Sequence, residues 1–199
     1  MKTALKYLLC ITSLAFAAGA QQITQAERAQ GLHYLNESTE GVEAAVTGLS
    51  PAQWTYKPSA NQWSIAEIVE HLAITEAVIE DIFKKMPNAP AAPANRDVKQ
   101  VDAMILSRVP DRSTKVQAPP PLIPTGKKSG PDSLKAFLAT RQETVIFLNS
   151  SPDLRGHVVD HPVLGPLDGY EWVLTLAAHS QRHTKQILEV KADPHFPAD

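Results

Sequence analysis

The sequence predicts an all-α protein, a four-helix bundle with one long Pro-rich crossover between the second and third helices. Three observations lead there. Apolar residues recur at helical spacing in four separate stretches, while strand-like alternation is scarce. Two of those stretches open on a capping pattern, in which a side-chain oxygen and a Glu three residues on satisfy free backbone donors. Residues 87–130, between the second and third stretches, hold eight prolines and cannot continue either helix. Four amphipathic helices bury their stripes only against one another, so they share a core.

In chain order, residues 1–20 come first. Lys2 and Lys6 precede a short apolar run through Leu8, Leu9, Ile11, Leu14 and Phe16, which ends in Ala18-Gly19-Ala20. That order reads as a secretory signal peptide, and the run is too short to span a bilayer. The expectation is an exported, periplasmic or secreted protein whose domain covers residues 21–199. Removing 20 residues from 199 leaves 179, enough for one domain with a real core. The leader holds two lysines and no acid. The remainder therefore sets 17 Lys and Arg against 21 Asp and Glu, a net charge of −4.

Gln22 to Leu49 reads as the first helix, with Leu32, Leu35, Val42 and Val46 as its stripe and Gly31 and Gly41 as weak points. Ser50-Pro51-Ala52-Gln53 reads as a short capped turn, and Trp54 to Trp63 as a loop. Ser64-Ile65-Ala66-Glu67 opens the second helix as a capping box. Its stripe runs Ile65, Ile68, Leu72, Val78, Ile79, Ile82, Phe83 and Met86, and Pro87 stops it. One short helix is expected inside the crossover, over 97–109. The third helix runs from Pro131 to about Asn149, with Leu134, Phe137, Leu138, Val145, Ile146 and Leu148 inward. Residues 151–167 read as a turn-rich segment, with Pro152, Gly156, Pro162, Gly165 and Pro166. Asp168-Gly169-Tyr170-Glu171 opens the fourth helix, which ends near Val190.

Composition excludes several functions. An acidic chain lacks the phosphate-neutralising surface that nucleic-acid binding needs. No second apolar run is long enough to insert in a membrane. Cys10 is the single cysteine and lies in the leader, so the exported chain has no disulfide, thiolate nucleophile or Cys ligand. The implied partner is a small molecule, and a homodimer stays open.

Three histidines carry the candidate chemistry. His179 and His183 stand four residues apart on the fourth helix and share a face. Trp172, Leu176, Ile187 and Val190 fall within about 40° of His183 on the same wheel. Glu171, Gln181, Lys185 and Glu189 fall on the other side. His71 lies within about 20° of Val78 and Ile82 on the second helix. Three core-facing imidazoles are costly to bury without partners. One divalent metal ion would satisfy all three; hydrogen bonds to carbonyls or carboxylates are the plainer alternative. Ser180 stands where a zincin motif places its Glu, so no built-in base follows the first ligand. Glu67, Gln186 and His161 are candidates for supporting roles, with Glu67 favoured as a cap. His157 and His161 read as loop residues near a pocket mouth.

Two segments resemble the signatures of the DinB-like superfamily. The first is Trp54-x-x-Lys57-Pro58 followed by Asn61-Gln62-Trp63-Ser64-Ile65-Ala66-Glu67-Ile68-Val69-Glu70-His71-Leu72. The second is Gly165-Pro166-Leu167 through Glu171-Trp172, then His179-x-x-Arg182-His183-x-x-Gln186-Ile187. The resemblance implies a four-helix bundle over nearly all of the exported chain. It also implies a metal held by His71 from the second helix and by His179 and His183 from the fourth. Characterised members include thiol-dependent transferases and isomerases, in which the metal activates a small thiol. This chain departs from them in its expected export, away from the reduced thiols of the cytosol, and in its Pro-rich crossover. The expected function is therefore that of an exported metal-binding protein, a metal-dependent hydrolase or transferase on a small molecule. The alternative is a non-catalytic metal- or ligand-binding bundle. Histidine ligation suits Zn²⁺ or Ni²⁺ best, with Cu²⁺ and Fe²⁺ also compatible.

Overall fold

The structure, a computed structural model, describes residues 22–198. The expected signal peptide and Cys10 lie outside the described residues. Among the described residues six α-helices appear: α1 (Gln25–Val46), α2 (Pro51–Thr55), α3 (Ile65–Lys85), α4 (Val98–Arg108), α5 (Gly130–Ser150) and α6 (Gly169–Lys191). The four long ones, α1, α3, α5 and α6, form the bundle. Among the described residues no helix is long and apolar enough to cross a membrane.

Caps fix where the helices begin. Ser64 and Asp168 each accept from the backbone N–H three residues on, and Glu67 and Glu171 reach back to the cap nitrogens. Thr24 and Glu27 make the same box for α1, so that helix starts at Gln25 rather than Gln22. Gly31 does not interrupt it. A Cβ there would stand 2.9 Å from the Tyr170 ring, so the glycine lets α1 and α6 approach closely.

Helix directions follow from contacts at both ends. Gly31 meets Tyr170, and Lys191 donates to the Ala45 carbonyl, so α1 and α6 run parallel. Gly126, just before α5, meets Glu67, and Phe147 stacks on Phe83, so α3 and α5 also run parallel. Gly31 meets Leu148, and Arg141 donates to Leu35, so α1 and α5 are antiparallel. Around the bundle the order is α1, α5, α3, α6. The pairs α1/α3 and α5/α6 therefore face each other across the bundle, while α3 and α5 lie side by side. The crossover is a geometric requirement: α3 and α5 are parallel, so the chain must return the length of a 21-residue helix, about 32 Å.

The core is apolar in most layers, with Leu35, Ile65, Ile68, Leu72, Phe137 and Ile187 under 2% exposed. One layer is polar. Arg141 of α5 pairs with Glu76 of α3 and also donates to Ser38 of α1 (2.9 Å) and Ser180 of α6 (2.8 Å). All four long helices meet at that guanidinium.

Four expectations need correction. Val78 and Ile146 are 42% and 49% exposed, because each sits at the edge of its helical arc where no neighbour covers it. Glu171, placed on the polar side by its wheel, is fully buried. Arg96 from the crossover (2.6 Å) and Arg155 roof it, and a helical wheel cannot see residues from other segments. Residues 151–167 are not all turns. β1 (Val158–His161) and β2 (Gly165–Asp168) form an antiparallel hairpin, with Gly165 at φ +78° closing its turn.

Candidate metal centre

α3 supplies His71 two turns inside its cap, and α6 supplies His179 and His183 one turn apart. Antiparallel packing of α3 on α6 brings the three rings together. The Nε2 atom of His179 lies 3.2 Å from Nε2 of His71 and 3.0 Å from Nε2 of His183. One ligand atom from each ring fits within 4.8 Å of the others, the one such cluster found among the described residues. His71 and His183 are buried and His179 is half-buried.

Proton placement decides what this cluster can do. His71 Nδ1 is 2.7 Å from the Leu122 carbonyl oxygen, which only accepts, so Nδ1 carries the hydrogen. His183 Nδ1 is 2.8 Å from Gln186 Oε1. Arg112 Nη1 also donates to that oxygen, at 3.4 Å, which fixes the amide with its acceptor towards His183. In neutral rings both Nε2 atoms are therefore bare lone pairs. His179 Nε2 lies between them and can present at most one proton, so at least one nitrogen pair is left with nothing to share. A cation accepting all three lone pairs resolves the conflict. Tetrahedral ligation at 2.0–2.1 Å would put nitrogens about 3.3 Å apart, close to the observed 3.0 and 3.2 Å.

Electrostatics agree. Burial holds His71 below the ordinary imidazole value. Burial, reinforced by the neighbouring His71, takes His183 down to about 3. His179 is pushed well down by burial and then by its two neighbours. All three rings are neutral at pH 7, the form in which imidazole ligates metal. Trp63 covers the group, its ring 5.0 Å from His71 and stacked on His183 at 6.5 Å.

The other candidates are elsewhere. Glu67 caps α3 and pairs with Lys57 at 2.8 Å, so its carboxylate is engaged as a cap. His161 packs on Trp172 at 5.2 Å. Trp172 precedes His179 by seven residues, about 10 Å along the helix. His157 Nδ1 faces the Ala89 carbonyl at 2.7 Å. His157 and His161, read as loop residues near a pocket mouth, therefore sit beside the N-terminal end of α6, before the turns that carry the three histidines. His33 and His195 stay on the surface. Residues 110–124 of the crossover do reach the centre, through Arg112 and Leu122. Sequence reasoning missed both, because a backbone carbonyl leaves no residue signature and Arg112 is distant in sequence. Gln186, one turn after His183, was among the candidates for a supporting role.

Two cavities flank these elements. One of about 520 Å³ lies among α2 and the starts of α3 and α5, lined by Trp54, Lys57, Glu67, Lys128 and Pro131, and by none of the three histidines. The other, about 120 Å³, adjoins the centre and is lined by Trp63, Arg112, Gln186, Glu189 and Val190.

Fold and centre together define a helical bundle with an interior three-histidine cluster suited to a metal ion. The DinB superfamily model matches residues 34–187, and the chain belongs to that superfamily. It is 28% identical over 147 residues to the uncharacterized protein YuaE of Bacillus subtilis (strain 168), covering 72% of this chain and 86% of that one. Its fold is similar to that of YfiT from Bacillus subtilis, a probable metal-dependent hydrolase with an unusual four-helix bundle topology. The TM-score is 0.59 at 16% identity, over 86% of this chain and 89% of YfiT.

Proposed function

We propose that this protein is exported and binds one divalent ion, Zn²⁺ or Ni²⁺, through Nε2 of His71, His179 and His183, and acts as a metal-dependent hydrolase on a small molecule. The observation that carries the reading is the convergence of three Nε2 atoms, two of whose rings already commit Nδ1–H to carbonyl oxygens. Three neutral imidazoles, joined among the described residues by no fourth His, Cys, Asp or Glu, match catalytic rather than structural zinc. A bound ion would supply Lewis acidity, polarising a substrate carbonyl or phosphoryl oxygen and making water a better nucleophile at neutral pH. The chain's own part is to aim the three lone pairs, exclude bulk water with Trp63 and keep the imidazoles neutral. The likeness to YfiT points the same way, and the sequence of residues 1–20 supports export.

A non-catalytic metal-binding bundle is the second reading. One observation favours it: the cavity beside the centre is about 120 Å³, below the roughly 300–1,000 Å³ of ordinary ligand pockets. Metal analysis of tag-free protein tests the ion, with one equivalent expected and none in His183→Ala. A panel of ester, amide, phosphoester and thiol-transfer substrates tests the chemistry. Metal-dependent hydrolysis supports the enzyme. Turnover only with a thiol replaces hydrolase by transferase. No turnover, with a melting point that rises on metal addition, leaves the binding bundle.

A further inference from the structure

We infer that Gln186 and Arg112 form a positioning relay that fixes the tautomer and direction of His183, and that this relay ties the centre to the crossover. The inference rests on the three-histidine reading above. Gln186 Oε1 accepts from His183 Nδ1 at 2.8 Å and from Arg112 Nη1 at 3.4 Å. Arg112 is itself held by Glu189, whose two carboxylate oxygens accept from Nε and Nη2 at 2.6 Å each. His183, Gln186 and Glu189 follow one another at three-residue steps along α6, so the relay winds from the core-facing side of the helix to its exposed side and closes on a residue from the crossover.

Each link has a separate job. The planar fork of Arg112 is oriented by the bidentate carboxylate, a geometry that lysine does not reproduce. So oriented, it presents an N–H to Gln186, and an amide facing a guanidinium must turn its oxygen, not its nitrogen, that way. The same oxygen then takes the His183 Nδ1 proton. The proton stays off Nε2, and Nε2 faces His179 and His71 as a lone pair. Without the relay the amide can flip, the ring can move its proton to Nε2, and the ligand is lost without any change to the histidine. Partners of this kind orient metal-ligating imidazoles, and their loss costs roughly 10–100-fold in metal affinity.

The test uses the full-length exported chain and two readouts. Long-range ¹H–¹⁵N correlation spectra of metal-free protein report the tautomer of each imidazole. Co²⁺ titration, with chelator competition and the visible spectrum of the bound ion, reports affinity and geometry. The wild type is expected to show His183 as the Nδ1–H tautomer. Gln186→Ala should show a mixture, bind Co²⁺ roughly 10–100-fold more weakly and give an altered spectrum. Gln186→Glu keeps an acceptor and should restore both. Arg112→Ala should fall between wild type and Gln186→Ala. If Gln186→Ala keeps the wild-type tautomer, affinity and spectrum, the relay is overturned while the metal reading stands. If the wild type takes up no Co²⁺, the metal reading falls. The tautomer comparison then decides the relay alone, and an unchanged His183 in Gln186→Ala overturns it.

Discussion

Replacing Glu76 by Gln tests whether the polar layer under the centre holds the bundle together. The substitution keeps the volume and removes the charge. Glu76 and Arg141 are 1% and 4% exposed at their side chains, so neither can recruit water once the other is neutralised. Breaking a buried ion pair from one side costs roughly 3–5 kcal/mol, because the remaining charge stays desolvated. At about 3 °C per kcal/mol for a chain of this size, the melting point should fall by roughly 9–15 °C. Ser38 and Ser180 keep their bonds to Arg141 and set the loss nearer the lower bound. Calorimetry and urea titration read the effect. Metal stoichiometry in the folded protein should stay at the wild-type value, since no histidine changes. Replacing both partners, with Glu76→Leu and Arg141→Met, should recover most of the loss, because apolar pairs substitute well for buried ion pairs. A loss under about 1 kcal/mol for Glu76→Gln, or a double variant worse than the sum of its parts, refutes the reasoning.

Three further outcomes follow from the same structure. His183→Ala and His179→Ala should each abolish stoichiometric metal binding and any metal-induced rise in melting temperature, read by elemental analysis and calorimetry. The buried imidazoles have folded values below the ordinary 6.5, His183 at about 3, so below pH 6.5 the unfolded chain binds more protons than the folded one. Stability of the metal-free protein is therefore complete above 6.5 and falls as pH drops towards 3; an unchanged urea midpoint between pH 7.5 and 4.5 would contradict this. Gly130→Ala places a Cβ against the Trp54 ring, so Trp54 must shift; the expected cost is about 1–3 kcal/mol by denaturant titration, with metal stoichiometry retained.

The parts of the fold legible in the sequence are those set by local signals. Ser64 with Glu67 and Asp168 with Glu171 announce two helix starts, and the structure builds both boxes. The three histidines were legible because wheel position depends only on spacing within one helix. What spacing cannot carry is the partner from elsewhere. Glu171 reads as a surface acid until Arg96 and Arg155, 75 and 16 residues away, close over it. The hairpin of 158–168 escaped because its strands are four residues each and one contains Pro166, which the edge of a two-stranded ribbon tolerates. Val78 and Ile146 show the converse error: apolar periodicity marks an arc, but the neighbours decide how wide an arc is covered.

Topology explains why the centre depends on the least helix-like part of the chain. With α3 and α5 parallel and adjacent, no short turn can join them, and the connection must travel the length of the bundle. It does so along α6, where α4 packs, and it therefore passes the helix that carries two of the three histidines. Prolines suit that path because they set an extended backbone without spending N–H donors, leaving carbonyls such as that of Leu122 free to accept. The Pro120–Leu122 turn presents that carbonyl to His71, while Arg112 reaches Gln186 and through it His183. The bundle alone brings three rings together, but the directions of two of them come from the crossover. A segment whose composition reads as a mere connector thus sets which nitrogen His71 and His183 offer. Its loosening would disarm the centre with every ligand still present.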